Sequence, residues 1–233
     1  MMALTQSEML GLWERGRGLH PLDQGVLALR AVFSGAPDPA DWSLGRRNRA
    51  LAELRGSMFG RELRGWTRCK PCGGQIEFRV DVLELPQASD GDGDDVAVAW
   101  DRRYRLPTSR DLAAVLPIAD LGEAARALAT RCCLEQGPEA QPWPDAEIEA
   151  VGDSMAAADP LAEIRLHFDC PHCDASFDES LDPAAFLWAE MDAGARRLLA
   201  DVHDLAIAYG WSEREILSLN PARRETYLAR VRA

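Results

Sequence analysis

Four of the six cysteines form two CxxC pairs, a spacing that serves two different chemistries. The pairs are Cys69 with Cys72 in RCKPCGG, and Cys170 with Cys173 in DCPHCDA. In thiol–disulfide exchange, a CxxC opens a helix and one thiolate attacks a disulfide. In a structural zinc site, two pairs supply four thiolates to one tetrahedral ion and leave no coordination position open. The residue types therefore allow a redox centre at the second pair, or one structural Zn²⁺ held by both.

The residues around the second pair favour the zinc site. Cys-Pro-His-Cys matches the loop of oxidising thiol–disulfide enzymes, but the acidic, strand-like DASFDESLDP follows it where such enzymes have a helix. Strand-like segments flanking the pairs place each one at the tip of a short hairpin. We therefore predict one structural Zn²⁺ bound by the four cysteines, and expect Arg68, Lys70 and His172 to offset the thiolate charge.

The distance between the pairs predicts that the zinc ribbon is split by an insertion. Between Cys72 and Cys170 lie 97 residues, whereas a compact ribbon has roughly 15–20. We expect an α+β fold in which the metal joins remote parts of the chain. Its parts are an N-terminal helical region at 1–65, a split zinc-ribbon β region at 66–182 with an acidic insertion at 87–163, and a C-terminal helical module at 183–233.

Apolar periodicity and turn residues predict the elements that position these cysteines. Helices are expected at 7–16, 21–33, 43–59, 122–136, 145–157, 183–209, 212–219 and 222–231, with a short one ending at Val115. Strands are expected at 76–82, 96–100, 103–106, 164–168 and 175–181. The strand, CxxC, strand pattern occurs twice, at the two ends of the predicted insertion.

The charge distribution argues against several kinds of partner. The net charge is −12, and residues 87–182 carry 7 basic and 21 acidic side chains. Free nucleic acid is a poor partner for such a surface, because neutralisation of phosphates by Lys and Arg supplies most non-specific affinity. No apolar run approaches 18 residues, and the first residues lack a signal-peptide pattern, so we expect a cytoplasmic protein with no membrane partner.

Other residues that could do chemistry have simpler interpretations. Cys132 and Cys133 are adjacent in a predicted helix and are expected to be buried small side chains. His203, beside the apolar stripe of the long helix, is expected to be a partly buried packing residue. Asp90, Asp92, Asp94 and Asp101 have calcium-loop spacing, but Asp95 replaces the required glycine, which favours a solvated acidic loop. Without a phosphate-binding glycine loop, a nucleophile elbow or HExxH, we predict no enzyme and no small-molecule substrate.

The C-terminal segment FLWAEMDAGARRLLADVHDLAIAYGWSEREILSLNPARRETYL resembles the end of phage baseplate proteins of the T-even hub-assembly type. It also resembles their relatives in phage-tail-like contractile injection systems. The features that carry the resemblance are the aromatic-Gly-Trp step YGW, the acidic turn EILSL and the final RRETY helix. LGLWERG and GRRNRALAELRGSMFG, together with both CxxC pairs, are similar to the longer, zinc-ribbon-bearing members of that group.

The resemblance implies a non-enzymatic protein that assembles the baseplate or hub of a contractile tail, as a component or as a chaperone. Its partners would be baseplate and hub structural proteins, bound by aromatic anchors with arginine rims. The alternative is that the same side chains cover the chain's own core. The candidate partner-binding residues are Trp188, Tyr209, Trp211, Ile216, Arg223, Arg224 and Tyr227.

Two other functions stay open on the sequence alone. One is a thiol–disulfide oxidoreductase or redox sensor that uses the Cys-Pro-His-Cys loop. The other is a zinc-ribbon regulator associated with nucleic acid, for which GRRNR at 45–49 and the C-terminal ARR are the nearest basic segments. The assembly function places the protein in the bacterial cytoplasm or within the assembled tail or injection particle.

Overall fold

The structure is a computed structural model that describes residues 4–33, 35, 37–82, 84–85, 96–99, 102–135 and 143–232. Its helices are α1 Gln6–Gly16, α2 Pro21–Val32, α3 Leu44–Phe59, α4 Ser109–Val115, α5 Leu121–Cys132, α6 Asp145–Ala158, α7 Pro183–Tyr209, α8 Glu213–Ser218 and α9 Pro221–Val231. Its strands are β1 Glu62–Arg68, β2 Gln75–Asp81, β3 Val96–Ala99, β4 Arg102–Arg105, β5 Ile164–Asp169 and β6 Ser176–Leu181. Consecutive strands pair as antiparallel hairpins, so the predicted α+β class is confirmed.

Local capping explains where the C-terminal helices begin and end. The Asp182 carboxylate accepts hydrogen bonds from the first free backbone amides of α7, and Gly210 ends that helix with a φ of 70°. Ser212 and Glu215 form a reciprocal capping box at the start of α8. The predicted bounds of α7 at 183–209 are therefore confirmed.

The largest helical core combines both ends of the chain. Helices α1, α2 and α3 pack around the first half of α7, and the indole Nε1 of Trp13 donates to Asp192 Oδ1 at 2.8 Å. The long C-terminal helix therefore shares its core with the N-terminal helices. The buried residues of this core are Met9, Leu10, Leu12, Trp13, Ala28, Leu29, Trp42, Ala50, Leu51, Leu54, Ala184, Leu187, Met191, Ala195 and Leu198.

The hairpins β1–β2 and β5–β6 carry the cysteine loops at their tips. Their last paired residues are Arg68 with Gln75, and Asp169 with Ser176, so each tip is a six-residue loop. The ring centroids of Phe78 in β2 and Phe168 in β5 lie 5.4 Å apart and join the two hairpins. Strand β1 begins four residues before the predicted change of period at 66.

A second core lies at the base of these hairpins, where the insertion leaves and rejoins them. It contains residues that directly follow β2 and others that directly precede β5. The chain therefore departs and returns at the same place. The buried members are Ala52, Leu63, Val82, Leu85, Leu161, Ile164 and Leu181.

The insertion forms a third core from the hairpin β3–β4 and helices α5 and α6, and it is bonded to the main body. The buried Asp159 accepts from the Gly45 amide at 2.8 Å. Asn48 Nδ2 donates to the carbonyl of Leu161 at 2.8 Å. The insertion is thereby fixed to the start of α3. The buried members of this core are Ala97, Ala99, Tyr104, Ala129 and Val151.

Helix α5 ends earlier than predicted. Cys133 adopts extended backbone and forms a bridge with Tyr104 of β4, and the Leu134 amide donates to the Arg103 carbonyl at 2.9 Å. This pairing with a strand replaces the last helical turn expected up to residue 136. Cys132 is fully buried, as predicted, whereas Cys133 is half-buried and its thiol donates to a backbone carbonyl.

Candidate metal centre

The structure brings the four predicted cysteines into one cluster. The sulfurs of Cys69 and Cys173 lie 3.6 Å apart, as do those of Cys72 and Cys170, and all four lie within 4.8 Å of one another. With Zn–S bonds of about 2.3 Å, sulfurs at the corners of a tetrahedron are separated by about 3.8 Å. The donor set and its spacing therefore fit a four-coordinate metal ion.

The first loop is closed by its own backbone. The Cys69 amide donates to the Gly74 carbonyl at 2.9 Å, and the Cys69 carbonyl accepts from the Gly73 amide at 2.7 Å. The Gly74 amide in turn faces the sulfur of Cys72 at 3.4 Å. A Cβ at Gly74 would lie 2.5 Å from the imidazole of His172, so the second loop packs directly on this glycine.

The second loop repeats the same pattern. The Cys170 amide donates to the Ala175 carbonyl at 3.0 Å, and the Cys170 carbonyl accepts from the Asp174 amide at 2.9 Å. Asp174 has a φ of 55°, the same left-handed conformation as Gly73, whose φ is 73°. Sequence reasoning missed this role of Asp174, although aligning CxxCG with CxxCD places it opposite the glycine.

The pKa values of Cys170 and Cys69 are shifted in opposite directions within the cluster. Burial raises the pKa of Cys170, but hydrogen bonds from the amides of His172 and Cys173 lower it to about 6. For Cys69, a bond from the Cys72 backbone lowers the pKa, whereas burial and bonds among the four sulfurs raise it to about 12. These contacts therefore favour the thiolate at Cys170 and the thiol at Cys69. A metal ion held by four thiolates would release protons on binding.

The basic side chains expected to offset the thiolates make other contacts. The Lys70 ammonium lies 3.5 Å from Glu179 on β6, and the Arg68 guanidinium lies over the Trp66 ring at 5.6 Å. His172 is exposed and packs on Gly74, outside the cluster of potential ligands. Backbone amides are therefore the hydrogen-bond donors that the described residues supply to the sulfurs, and Lys70 instead links the two hairpins.

The position of the second CxxC differs from that of a redox loop. Cys170 directly follows β5, and the next element after Cys173 is β6, which begins at Ser176. A thiol–disulfide enzyme places its first cysteine at the N-terminus of a helix, where the helix dipole stabilises the thiolate. The hairpin tip provides no such dipole.

Three residues predicted to contact a partner are engaged within the chain. The Trp188 ring packs on Gly16, where a Cβ would lie 2.0 Å from it. Ile216 is fully buried, and Arg224 is buried and donates to the side-chain oxygen of Gln6. For these three residues, the apolar and charged pattern of the C-terminus is therefore explained by packing within the chain, which is the alternative to partner binding that the sequence left open.

The remaining predicted residues form an aromatic surface at the end of α7. The rings of Tyr209 and Trp211 are stacked with centroids 4.7 Å apart, and Tyr227 meets Trp211 edge-on at 4.9 Å. Tyr209 is exposed, Trp211 and Tyr227 are half-buried, and Arg223 is exposed on α9. We call Tyr209, Trp211 and Tyr227 the aromatic surface.

Two further predictions concern residues outside the cysteine cluster. His203 is exposed, so the prediction of a partly buried packing residue is wrong; the helix turns it away from the stripe. The aspartates at 90, 92, 94, 95 and 101, with their proposed acidic loop, lie outside the described residues.

Comparisons with protein-family models, curated proteins and solved structures find no match for this chain. Among the described residues, no helix combines the length and apolar character needed to cross a membrane. What the protein does is therefore inferred from its own residues and their arrangement.

Proposed function

We propose that Cys69, Cys72, Cys170 and Cys173 bind one structural Zn²⁺. The observation that carries this proposal is the approach of four sulfurs to tetrahedral spacing although the two pairs are 98 positions apart. Tetrahedral sulfur sites hold zinc or iron, and zinc is favoured because two CxxC loops at hairpin tips are typical of structural zinc ribbons. The ion would fix the hairpin tips to each other and perform no reaction, because all four positions belong to protein.

Metal analysis of the full chain, purified without added zinc, tests this proposal. We expect one zinc per chain and four thiols that react only after chelation or unfolding. Cys173→Ser should abolish stoichiometric zinc. Cys133→Ser is the matched control, because its half-buried thiol lies outside the cluster and a hydroxyl can make the same bond. Metal-free protein with rapidly reacting Cys170 and Cys173 would instead support the redox function, and coloured protein containing iron would change the identity of the ion.

We further propose that the protein is a non-enzymatic assembly protein of a contractile tail or injection-system baseplate, acting as a component or a chaperone. Support comes from the C-terminal resemblance and from the aromatic surface, whose Tyr209 is exposed and whose Tyr227 lies on α9 together with the exposed Arg223. Aromatic side chains with arginine neighbours are enriched at protein interfaces. A structural protein partner fits this surface better than nucleic acid does, given the net charge of −12.

The assembly proposal is tested by co-expressing the chain with hub and tube proteins of a contractile tail from the same organism. Tyr209→Ala removes the most exposed ring of the aromatic surface, and we expect it to reduce complex formation at least tenfold. Val98→Ala is the control, because Val98 is 61% exposed on β3 in the insertion. Equal complex formation by both variants and the wild type would remove the role given to the aromatic surface. Deleting residues from 183 onward is unsuitable, because the first half of α7 belongs to the main core.

A further inference from the structure

A pocket of about 440 Å³ lies between the start of α2, the α4–α5 region and the start of α7. None of its lining residues belongs to the cysteine loops or to the aromatic surface. Leu116 and Leu121 at its rim are 53% and 85% exposed, so apolar surface continues from the pocket to the solvent. Its apolar lining includes Leu22, Leu112, Val115, Leu116, Ile118 and Leu121.

The lining also contains His20, the carboxylate of Asp182 and the buried Arg47, which is 8% exposed. Its Nε and Nη2 donate to Asn48 Oδ1 at 3.1 and 2.8 Å, and its Nη1 donates to Ser109 Oγ at 3.2 Å. Among the described residues, no carboxylate oxygen lies within 4.0 Å of the guanidinium. Three of its five N–H groups are thus bonded to neutral oxygens, and the buried positive charge has no contacting anion.

Two acidic groups lie near Arg47 but are bonded to backbone amides. Asp182, which also lines the pocket, accepts from the amides of Ala184 and Ala185 at 2.9 and 3.3 Å. Asp159 accepts from the Gly45 amide. Burial lowers the pKa of Arg47, whereas the negative charges of Asp182 and Asp159 raise it, and the net pKa is lowered. The cost of desolvating the guanidinium is therefore larger than the stabilisation that these two carboxylates supply.

We propose that this pocket binds an aliphatic monocarboxylate, with the carboxylate on Arg47 and the alkyl chain along the leucines. Planar guanidinium groups bind carboxylates through paired hydrogen bonds, and a carboxylate would supply the anion that the buried charge lacks. A volume of about 440 Å³ lies in the range of small-molecule sites. The part of the ligand's alkyl chain that extends out of the pocket would cover the exposed leucines at the rim.

In the first test, the full chain is titrated with decanoate, decanol and decylammonium below their aggregation concentrations. Calorimetry measures the affinities, and amide chemical shifts locate the binding site. We expect decanoate to bind at least tenfold more tightly than decanol, and decylammonium to bind most weakly. Shifts should concentrate at the pocket. Equal affinity for decanoate and decanol, or shifts spread over other apolar surfaces, would overturn the proposal.

Asp182→Asn is the decisive variant, because asparagine also caps a helix while the negative charge beside the pocket is removed. It should strengthen decanoate binding several-fold and leave decanol binding unchanged, and an unchanged ratio would contradict a carboxylate on Arg47. Leu116→Ser should weaken decanoate binding, whereas Leu134→Ser, at another exposed leucine outside the pocket, should not. These variants avoid Arg47 itself, whose replacement could disturb the fold.

Discussion

Gly73 and Asp174 occupy the same position in the two cysteine loops, directly after the second cysteine, and both have a positive φ. Glycine adopts this conformation without cost, whereas a residue with a Cβ is strained there by about 1 kcal/mol. A Cβ at Gly73 would meet no neighbouring atom within 4 Å. A side chain at this position would therefore add backbone strain but no steric clash.

The first prediction concerns a substitution at this position in each loop. Gly73→Ala should lower the free energy of unfolding by about 1 kcal/mol, and Asp174→Gly should leave it unchanged or raise it slightly. Urea unfolding of the metal-loaded protein measures both. Equal losses in the two variants would show that side-chain contacts of Asp174, and not its backbone, matter in the second loop.

The second prediction concerns two glycines of α1 that have opposite surroundings. A Cβ at Gly16 would lie 2.0 Å from the Trp188 ring, whereas Gly11 has open space. Gly16→Ala should therefore destabilise the protein by about 1–3 kcal/mol through overpacking. Gly11→Ala should stabilise it by about 0.5–1 kcal/mol, since alanine favours helix. Thermal unfolding compares the two, and a stable Gly16→Ala would mean that Trp188 can move away.

The third prediction concerns the ion pair between Arg55 and Glu190. The guanidinium of Arg55 is 4% exposed, donates to both oxygens of Glu190 at 2.6 and 2.7 Å, and ties the end of α3 to α7. Glu190→Gln leaves this buried charge without its anion and should cost about 2 kcal/mol, less than for a fully buried pair because Glu190 is partly exposed.

Glu163→Gln provides the comparison for that experiment. It removes the surface pair with Arg165, both of whose side chains are exposed, and we expect a loss of at most about 0.5 kcal/mol. Chemical denaturation measures both variants. Similar losses would show that burial of Arg55 adds nothing to the strength of its pair.

The fourth prediction is a pH dependence that comes from Asp111. Burial alone would raise the pKa of this carboxyl, but hydrogen bonds from Arg105 and Thr108 hold the pKa well below its usual range. Because the folded-state pKa is depressed, the stabilisation is complete above the unfolded value of about 3.9 and is lost as the pH falls toward the folded value. Stability should therefore decrease below about pH 4.

Asp111→Asn isolates this contribution from the other carboxylates. At pH 7 the variant should be less stable by about 3 kcal/mol, because Arg105 and Arg131 lose their shared buried anion. The difference from the wild type should shrink as the pH is lowered from 4 to 2.5. Asp41→Asn, which removes an exposed partner of Arg110, should show little change at any pH. A constant difference across the range would exclude Asp111 as the titrating group.

The sequence was sufficient to predict those parts of the fold that depend on local chemistry. Capping residues located both ends of α7, and the repeated strand, CxxC, strand pattern predicted which cysteines meet. It could not predict the end of α5, because pairing of Cys133 with Tyr104 depends on a strand far away in the chain. For the same reason, Ile216 and Arg224 could not be assigned to the core or the surface. An amphipathic pattern shows that one side is covered but not what covers it.

The common exit and entry point of the insertion bears on how the cysteine site forms. Val82 and Leu161 pack in one buried cluster, so the ends of the long connection are already together at the base of the hairpins. The entropy lost on closing that connection is offset by apolar packing at the base of the hairpins. In the proposed zinc site, an arriving ion would then meet two loops that already lie side by side. Such a site would be preorganised, unlike that of a zinc-finger peptide, in which ligation and folding are a single event.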